Sequence, residues 1–126
     1  MQVRLTTIGA RSGDPRTVTL YAWEDGDRLI VVGSWGGAAR HPAWVHNLRA
    51  HPIVTVVRGR EAVEMTATEV TEPDERDRVW RLVVARFPMY ATYQRRTKRL
   101  IPLFALQPVV ASRPGRASVY GRGQTR

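Results

Sequence analysis

Cysteine is absent from the 126 residues, and so are long apolar segments. The lack of cysteine excludes a disulfide scaffold, a thiol nucleophile and any cysteine-ligated metal. The lack of an apolar run, together with a mean hydropathy of −0.33, excludes a transmembrane helix. Because no apolar segment of the secretory type follows the start, we expect a cytoplasmic protein whose contact with a membrane, if it has one, is peripheral.

Lysine is scarce, and acidic residues are missing from the last third of the chain. Lys98 is the single lysine among 20 cationic residues. Residues 1–86 hold 12 arginines and all 11 acids, whereas residues 87–126 carry +8 of the total net charge of +9. Arginine forms planar two-pronged contacts with phosphate and carboxylate. The composition therefore indicates an anionic partner, either a nucleic acid or a small ligand that carries phosphate or carboxylate groups.

The sequence offers neither the spacing of a metal centre nor that of a hydrolytic triad. His41, His46 and His51 are five residues apart, whereas two helical ligands need a spacing of four, and no acid lies among them. Ser12 has the wrong spacing to Gly9 for a nucleophile elbow. We therefore predict no metal site and no nucleophilic side chain.

Alternating apolar residues and glycine turns predict about six antiparallel strands in one domain. The strands are expected at residues 3–7, 17–24, 28–33, 53–57, 61–70 and 101–106, with hairpin turns at 25–27 and 58–60. Pro102 suits an edge strand or the start of a strand. Such a chain is mainly β with flanking helices (α+β), and we expect a small antiparallel barrel with the helices outside.

Three helical segments are predicted from proline, acidic caps and apolar spacing. Pro42 opens a helix over 42–50, Thr71 or Glu72 caps a second one, and residues 90–99 form a short helix or turn. The last segment is either a cover for one end of the barrel or an aromatic, basic lid over a pocket. We predict a domain at 1–108 and a basic, flexible tail at 109–126. The second helix should bury a stripe of apolar residues: Trp80, Val83, Val84 and Phe87.

The loop at residues 11–16 has the composition of an anion-binding turn. Gly13 lets backbone N–H groups converge, Ser12 adds a hydroxyl, and Arg11 and Arg16 add charge. A second glycine loop at 34–37 follows the strand predicted at 28–33. The hairpin formed by this strand and the one at 17–24 would bring both loops to the same end of the barrel. Glycine there would permit close approach to a flat ring.

Three segments together resemble the deazaflavin-dependent nitroreductase family. They are Leu-Thr-Thr-Ile-Gly-Ala-Arg-Ser-Gly-Asp-Pro-Arg (5–16), Gly-Gly-Ala-Ala-Arg-His-Pro-Ala-Trp-Val-His-Asn-Leu-Arg-Ala-His-Pro (36–52) and Tyr-Ala-Thr-Tyr-Gln-Arg-Arg-Thr (90–97). The resemblance implies a split β-barrel that binds the deazaflavin cofactor F420. It also implies an oxidoreductase that transfers hydride from reduced F420 to quinones, nitroaromatics or activated enones.

The resemblance also implies roles for individual residues. The phosphate and the start of the glutamate tail of F420 would be held by Arg11, Ser12, Gly13 and Arg16. The deazaflavin ring would be lined by Ser34, Trp35 and Gly37, with backbone contacts from Val18 and Thr19 and with Trp44 beside the groove. Trp35 departs from the family pattern, and it would narrow the pocket or stack on a ligand. The substrate pocket would be faced by Tyr21, Tyr90 and Tyr93, and a hydroxyl of one of these or of Ser34, or a water, would stabilise charge on the substrate.

Two other functions stay open at this point. The same barrel type also holds FMN-binding oxidoreductases, which makes FMN the alternative cofactor. A basic module that binds nucleic acid through the tail is the other alternative, although the nearly neutral body of the domain argues against it. For the leading hypothesis we expect a small-molecule substrate, a homodimer and no nucleic acid.

Overall fold

The computed structural model describes residues 1–109. The chain forms seven strands and three α-helices, with a short 3-10 turn at Trp35–Gly37. The predicted tail lies outside the described residues except for Val109. The elements in chain order are β1 (Gln2–Ile8), β2 (Pro15–Tyr21), β3 (Trp23–Asp25), β4 (Arg28–Val32), α1 (Ala43–Ala50), β5 (Ile53–Arg58), β6 (Glu61–Glu69), α2 (Pro73–Arg86), α3 (Met89–Arg95) and β7 (Leu103–Pro108).

The seven strands form one antiparallel sheet in the order β2-β1-β5-β6-β7-β4-β3. The two edge strands, β2 and β3, are consecutive in the chain and are separated by Ala22 alone. Because one residue cannot cross a flat seven-stranded sheet, the sheet curls until its edges approach each other. The result is a half-barrel with three flanking helices. The predicted fold class is therefore confirmed.

The prediction of a single strand at 17–24 is wrong in one respect. The strand breaks at Ala22, which is fully buried and donates its N–H to the Met1 carbonyl at 2.8 Å. Up to Tyr21 the chain pairs with β1, and from Trp23 onwards it pairs with β4. The break produces seven strands where about six were expected.

Two apolar layers hold the helices against the sheet. Alternate residues of β1, such as Val3 and Leu5, point into the first layer, where α1 contributes Trp44 and Leu48. In the second layer, α2 and α3 pack over β4 and β7. Strands β4 and β7 are buried on both faces, which explains their continuous apolar sequence. Since β7 lies between β6 and β4, Pro102 marks the start of a strand and not an edge.

Helix α2 starts as predicted, and three of the four residues of the predicted stripe are buried wholly or in part. Glu72 is the cap: its carboxylate accepts hydrogen bonds from the N–H groups of residues 74 and 75, and Pro73 takes the first helical position. The fully buried residues are Val79 and Val83, which are four apart, whereas Phe87 is 37% exposed. Trp80 and Val84 are partly buried against the same layer, and Phe87 leaves it because the helix ends at Arg86 and the backbone of Phe87 is extended. Within residues 1–109, none of the helices is long and apolar enough to cross a bilayer.

Candidate functional site

An open groove lies between the β1–β2 turn and the start of α1. Its volume is about 1100 Å³, slightly above the usual range for a small-molecule site. It is lined by the end of β1 and the following turn, by the start of β2, by the 3-10 turn and by α1 with the residues before it. The lining residues are Thr7, Gly9, Ala10, Arg11, Ser12, Arg16, Thr17, Val18, Trp35, Arg40, Pro42, Ala43, Trp44, His46 and Asn47.

The groove is cationic, and its charge is not neutralised from within. Arg11, Arg16 and Arg40 line it, and no aspartate or glutamate does. Within residues 1–109, none of these three guanidinium groups forms an ion pair with a carboxylate. All three are exposed. The groove therefore attracts an anion, and each planar guanidinium can bind phosphate or carboxylate with two hydrogen bonds.

The β1–β2 turn that carries Arg11 is held by its own hydrogen bonds. Gly9 donates its N–H to the Asp14 carbonyl at 2.8 Å, and the Ser12 hydroxyl accepts a hydrogen bond from the Asp14 N–H at 3.1 Å. Gly13 has a φ of +74°, a value that favours glycine. The turn thereby presents the Arg11 side chain to the groove without help from a ligand.

A buried amide joins this turn to α1. Asn47 is 7% exposed, and its side-chain oxygen accepts a hydrogen bond from the Ala10 N–H at 2.9 Å. Its side-chain nitrogen donates to the hydroxyl of the fully buried Thr7 at 3.0 Å, and that hydroxyl donates to the Arg16 carbonyl at 3.3 Å. One side chain of α1 thus fixes both ends of the segment that bears Arg11 and Arg16.

Two indole rings supply the apolar part of the groove. Trp44 is 8% exposed and packs edge-on against Phe104, with 6.0 Å between the ring centroids. It therefore belongs to the core and to the groove at once. Trp35, which lies in the 3-10 turn, is 58% exposed. Its φ of +42° is unusual for a residue with a side chain.

The tyrosines predicted to face the substrate gather in a separate aromatic cluster. Tyr21 stacks on Trp23 at 5.9 Å, and the Trp23 indole N–H donates to the Tyr90 hydroxyl at 2.9 Å. Burial is the main cause that raises the pKa of Tyr90, so its hydroxyl is protonated at neutral pH. The cluster adjoins the 3-10 turn, because a Cβ on Gly37 would lie 2.6 Å from the Tyr93 carbonyl oxygen.

The structure brings together six of the predicted site residues and places the others nearby or elsewhere. Those that line the groove are Arg11, Ser12, Arg16, Val18, Trp35 and Trp44. Those outside the lining are Gly13, Thr19, Ser34, Gly37, Tyr21, Tyr90 and Tyr93. Of these, Ser34 and Gly37 are buried beside Trp35, and Thr19 is exposed on β2 opposite Arg4 of β1. The individual roles stay predictions.

Sequence reasoning missed nine of the 15 lining residues, among them Thr7, Arg40, His46 and Asn47. A signal for Asn47 was present, since it lies three residues after Trp44 on the face of α1 that the apolar residues predict to be buried. A buried amide on such a face needs polar partners. No three metal-ligating side chains gather anywhere in the described part of the chain. The chemistry available to the groove is therefore anion binding beside aromatic walls.

Comparisons with known proteins agree with this description. A family model described as F420H(2)-dependent quinone reductase matches residues 1–108. A protein of Mycobacterium tuberculosis (strain ATCC 25618 / H37Rv), named F420H(2)-dependent quinone reductase, is 40% identical over 105 residues, which cover 81% of this chain and 70% of that protein.

Two solved structures are similar at the same level of identity. One, described as an F420-H2 dependent reductase (FDR-A), is 40% identical, covers 84% of this chain and 93% of its own, and superposes with a TM-score of 0.75. Another, described as a domain-swapped dimer, is 40% identical, covers 84% of this chain and 79% of its own, and has a TM-score of 0.76.

Proposed function

This chain belongs to the F420H(2)-dependent quinone reductase family, and we propose that the groove between the β1–β2 turn and α1 is where it binds its cofactor. The protein is an oxidoreductase whose reductant is F420H2. The observation that carries the proposal for the groove is the set of three guanidinium groups, Arg11, Arg16 and Arg40, that face it without carboxylate partners among residues 1–109. F420 carries a phosphate and several carboxylates, which are the anions that such groups bind.

The residues present fit this cofactor in their aromatic side chains as well as in charge. Arg11 and Arg16 lie at the β1–β2 turn and the start of β2, where Ser12 adds a hydroxyl, whereas Arg40 and the indoles of Trp35 and Trp44 lie on the 3-10 turn, on α1 and between them. A ligand with an anionic tail and a flat ring would use both parts. In this proposal Arg11, Ser12 and Arg16 bind the phosphate, Arg40 binds a tail carboxylate, and Trp35 and Trp44 contact the ring.

The chemistry requires little more from the protein than orientation. When bound, reduced deazaflavin supplies the hydride, and the protein supplies binding, orientation and electrostatics. The tyrosine cluster adjoins the Trp35 turn, and we place the acceptor between this cluster and the ring bound in the groove, within reach of the hydride. Tyr90 keeps its proton at neutral pH and accepts from Trp23, so its O–H is free to donate toward an oxygen that gains charge. Tyr21, Tyr93 and Ser34 are the other candidate donors.

The acceptor class and the assembly complete the proposal. Quinones are the acceptors named for the family, and nitroaromatics and activated enones share the same electron-poor π system. A solved relative is described as a domain-swapped dimer, which supports the proposal that this chain forms a homodimer. The cytoplasmic location stays a prediction.

The test is a titration of the purified protein with F420, followed by the fluorescence of the cofactor. We expect saturable binding at tens of micromolar or below, on the order of −6 kcal/mol or better, and FMN should not compete at equal concentration. Arg40→Ala should weaken binding about tenfold, since a charged hydrogen bond contributes about 1.5–3 kcal/mol.

The control variant is Arg81→Ala, which removes an exposed arginine from the middle of α2. It should bind F420 like the wild type. Saturable FMN binding without F420 binding would overturn the assignment and favour the alternative cofactor. Equal losses in the two variants would show that binding follows total charge and not the groove.

A further inference from the structure

Arg99 contacts more of the backbone beside the groove than its exposed neighbours in sequence do. Its guanidinium donates hydrogen bonds to the carbonyls of Gly33 at 3.0 Å, Ser34 at 2.8 Å and Ala38 at 2.8 Å. It also lies 2.9 Å from Nδ1 of His41. Four acceptors around one planar fork use most of its five N–H groups, an arrangement that a lysine cannot reproduce. The three carbonyls enclose the segment that bears Trp35.

That segment, residues 33–38, has an unusual backbone conformation that few hydrogen bonds of its own stabilise. Trp35, Gly36 and Gly37 have φ values of +42°, +61° and +83°, so three consecutive residues are left-handed. For Trp35, which has a Cβ, this conformation is strained. Such conformations persist where the surroundings impose them, and they cluster at functional sites. Hydrogen bonds within the segment are few: Gly37 N–H to the Ser34 carbonyl and Ala38 N–H to the Trp35 carbonyl.

Arg99 is itself fixed by α3. The Gln94 side chain donates to the Arg99 carbonyl at 2.7 Å and accepts from the Ile101 N–H at 3.0 Å. The Arg99 N–H donates to the Thr97 hydroxyl at 3.3 Å. A rigid connection therefore runs from α3 through Arg99 to the 33–38 segment. It is reinforced where Gly37 lies so close to the Tyr93 carbonyl that a Cβ would not fit.

The contact with His41 extends this connection to the other wall of the groove. His41 lies next to Arg40, which lines the groove. As Nδ1 accepts from the guanidinium, the imidazole is neutral with its proton on Nε2. Burial, and then the charge of Arg99, lowers the pKa of His41, which is consistent with that state. One guanidinium thus contacts the backbone on both sides of Trp35 and the residue beside Arg40.

We propose that Arg99 is a positioning residue: it holds residues 33–38, with their left-handed centre, so that Trp35 stands in the groove, and it sets the place of Arg40 through His41. Arg99 is not among the groove-lining residues, so its effect on a ligand is indirect. The inference rests on the proposed function for its consequence in cofactor binding. The mechanical part concerns the protein alone.

The experiment measures amide hydrogen exchange of the protein without cofactor, and then F420 binding, in Arg99→Ala, Arg99→Lys and Arg95→Ala. In Arg99→Ala, exchange at Gly37 and Ala38 should rise at least tenfold, while exchange in β7 is unchanged. F420 affinity should fall about tenfold, and Arg99→Lys should recover only part of both losses. Arg95→Ala is the matched control, because the Arg95 guanidinium is exposed and its described partner is Thr92 of its own helix.

A second variant reaches the same segment from its other side. Gly37→Ala would place a Cβ against the Tyr93 carbonyl and strain a φ of +83°, so it should raise the same exchange rates with Arg99 intact. If Arg99→Ala does not fold, this variant and Arg99→Lys carry the test. Unchanged exchange over residues 33–38, or an equal rise in β7, would overturn the proposal.

The failures of the two proposals look different. If the wild type does not bind F420, the proposed function fails whatever the exchange data show. If the wild type binds and exchange over 33–38 rises while affinity is unchanged, the positioning role for the groove is overturned and the cofactor assignment stands.

Discussion

Arginines are paired with carboxylates at one corner of this half-barrel and unpaired at another, within the residues that the structure describes. At the β3–β4 hairpin, Arg28 and Arg78 share the carboxylates of Asp25 and Glu75, with nitrogen–oxygen distances of 2.7–2.9 Å. At the groove, Arg11, Arg16 and Arg40 form no ion pair within residues 1–109. The first corner is neutralised by its own sequence and joins α2 to the sheet. The second is left charged.

The difference shows that the net charge of this protein does not indicate where an anion binds, whereas the ion pairing of its arginines does. The body of the domain is nearly neutral, yet two of its 11 acids, Asp25 and Glu75, pair with arginine at the hairpin and none of the 11 lines the groove. Paired arginines contribute to folding, whereas unpaired ones repel each other and are relieved when an anion binds. Substitutions at the groove should therefore change binding and spare stability, and substitutions at the hairpin should do the reverse.

The largest expected effect comes from Arg11→Ala combined with Arg16→Ala. Two lost charged contacts should weaken F420 binding about 100-fold or more. The unfolding temperature should stay within about 2 °C or rise, since neither guanidinium pairs with a carboxylate in the described residues. Fluorescence titration and thermal unfolding of one preparation check both halves. A large loss of stability with unchanged binding would contradict this, because it would mean that Arg11 and Arg16 contribute to folding and not to F420 binding.

Asn47→Leu should lower both stability and F420 affinity, because Asn47 contributes to folding and also positions the turn that lines the groove. The change leaves the Ala10 N–H and the Thr7 hydroxyl without their partner inside the protein. We expect a loss of about 2 kcal/mol in unfolding free energy and a roughly fivefold weaker F420 affinity, since the turn that carries Arg11 loosens. Urea unfolding and titration measure the two effects.

Asn47→Asp is the matched variant for that experiment. It keeps the acceptor for Ala10 but loses the donor to Thr7, and it adds an anion at the wall of the groove. Binding should fall further than in Asn47→Leu while stability falls less. If both variants bind F420 like the wild type, Asn47 does not position the turn.

The local parts of the fold were predictable, and the parts that depend on distant residues were not. Alternation along β1 and the turns at Gly26 and Gly59 are local, so the hairpins and their strands agree with prediction. The break at Ala22 depends on the Met1 carbonyl, and α2 buries Val79 because of where the sheet lies. Neither cause is visible in the neighbouring sequence.

The candidate site divides in the same way. Arg11, Ser12 and Arg16 lie close together in the sequence, so they can be recognised as part of an anion-binding turn. Arg40 and Asn47 reach the groove because α1 packs against β1, more than 25 residues away along the chain. The tyrosines of α3 were tied to the substrate by resemblance, and the structure places them in a cluster beside the Trp35 turn.

The smallest expected effect tests the hairpin corner through pH. Arg78, and then Arg28, lowers the pKa of Asp25 from 3.8 to about 2. Because the folded-state pKa lies below the unfolded one, the unfolded chain binds the proton more readily. The stability that Asp25 contributes is therefore complete above about pH 5 and is lost as pH falls through 3.8 toward 2.

The change that measures this contribution is Asp25→Asn, which keeps the size of the side chain and removes its charge. At pH 7 it should cost about 1 to 2 kcal/mol, less than the full pKa shift implies because Arg78 is half exposed and screened. The difference from the wild type should shrink below pH 4 and vanish near pH 2, while F420 affinity at pH 7 is unchanged. A difference that stays constant from pH 7 to pH 2 would mean that Asp25 acts through packing, and the hairpin arginines would then resemble those of the groove.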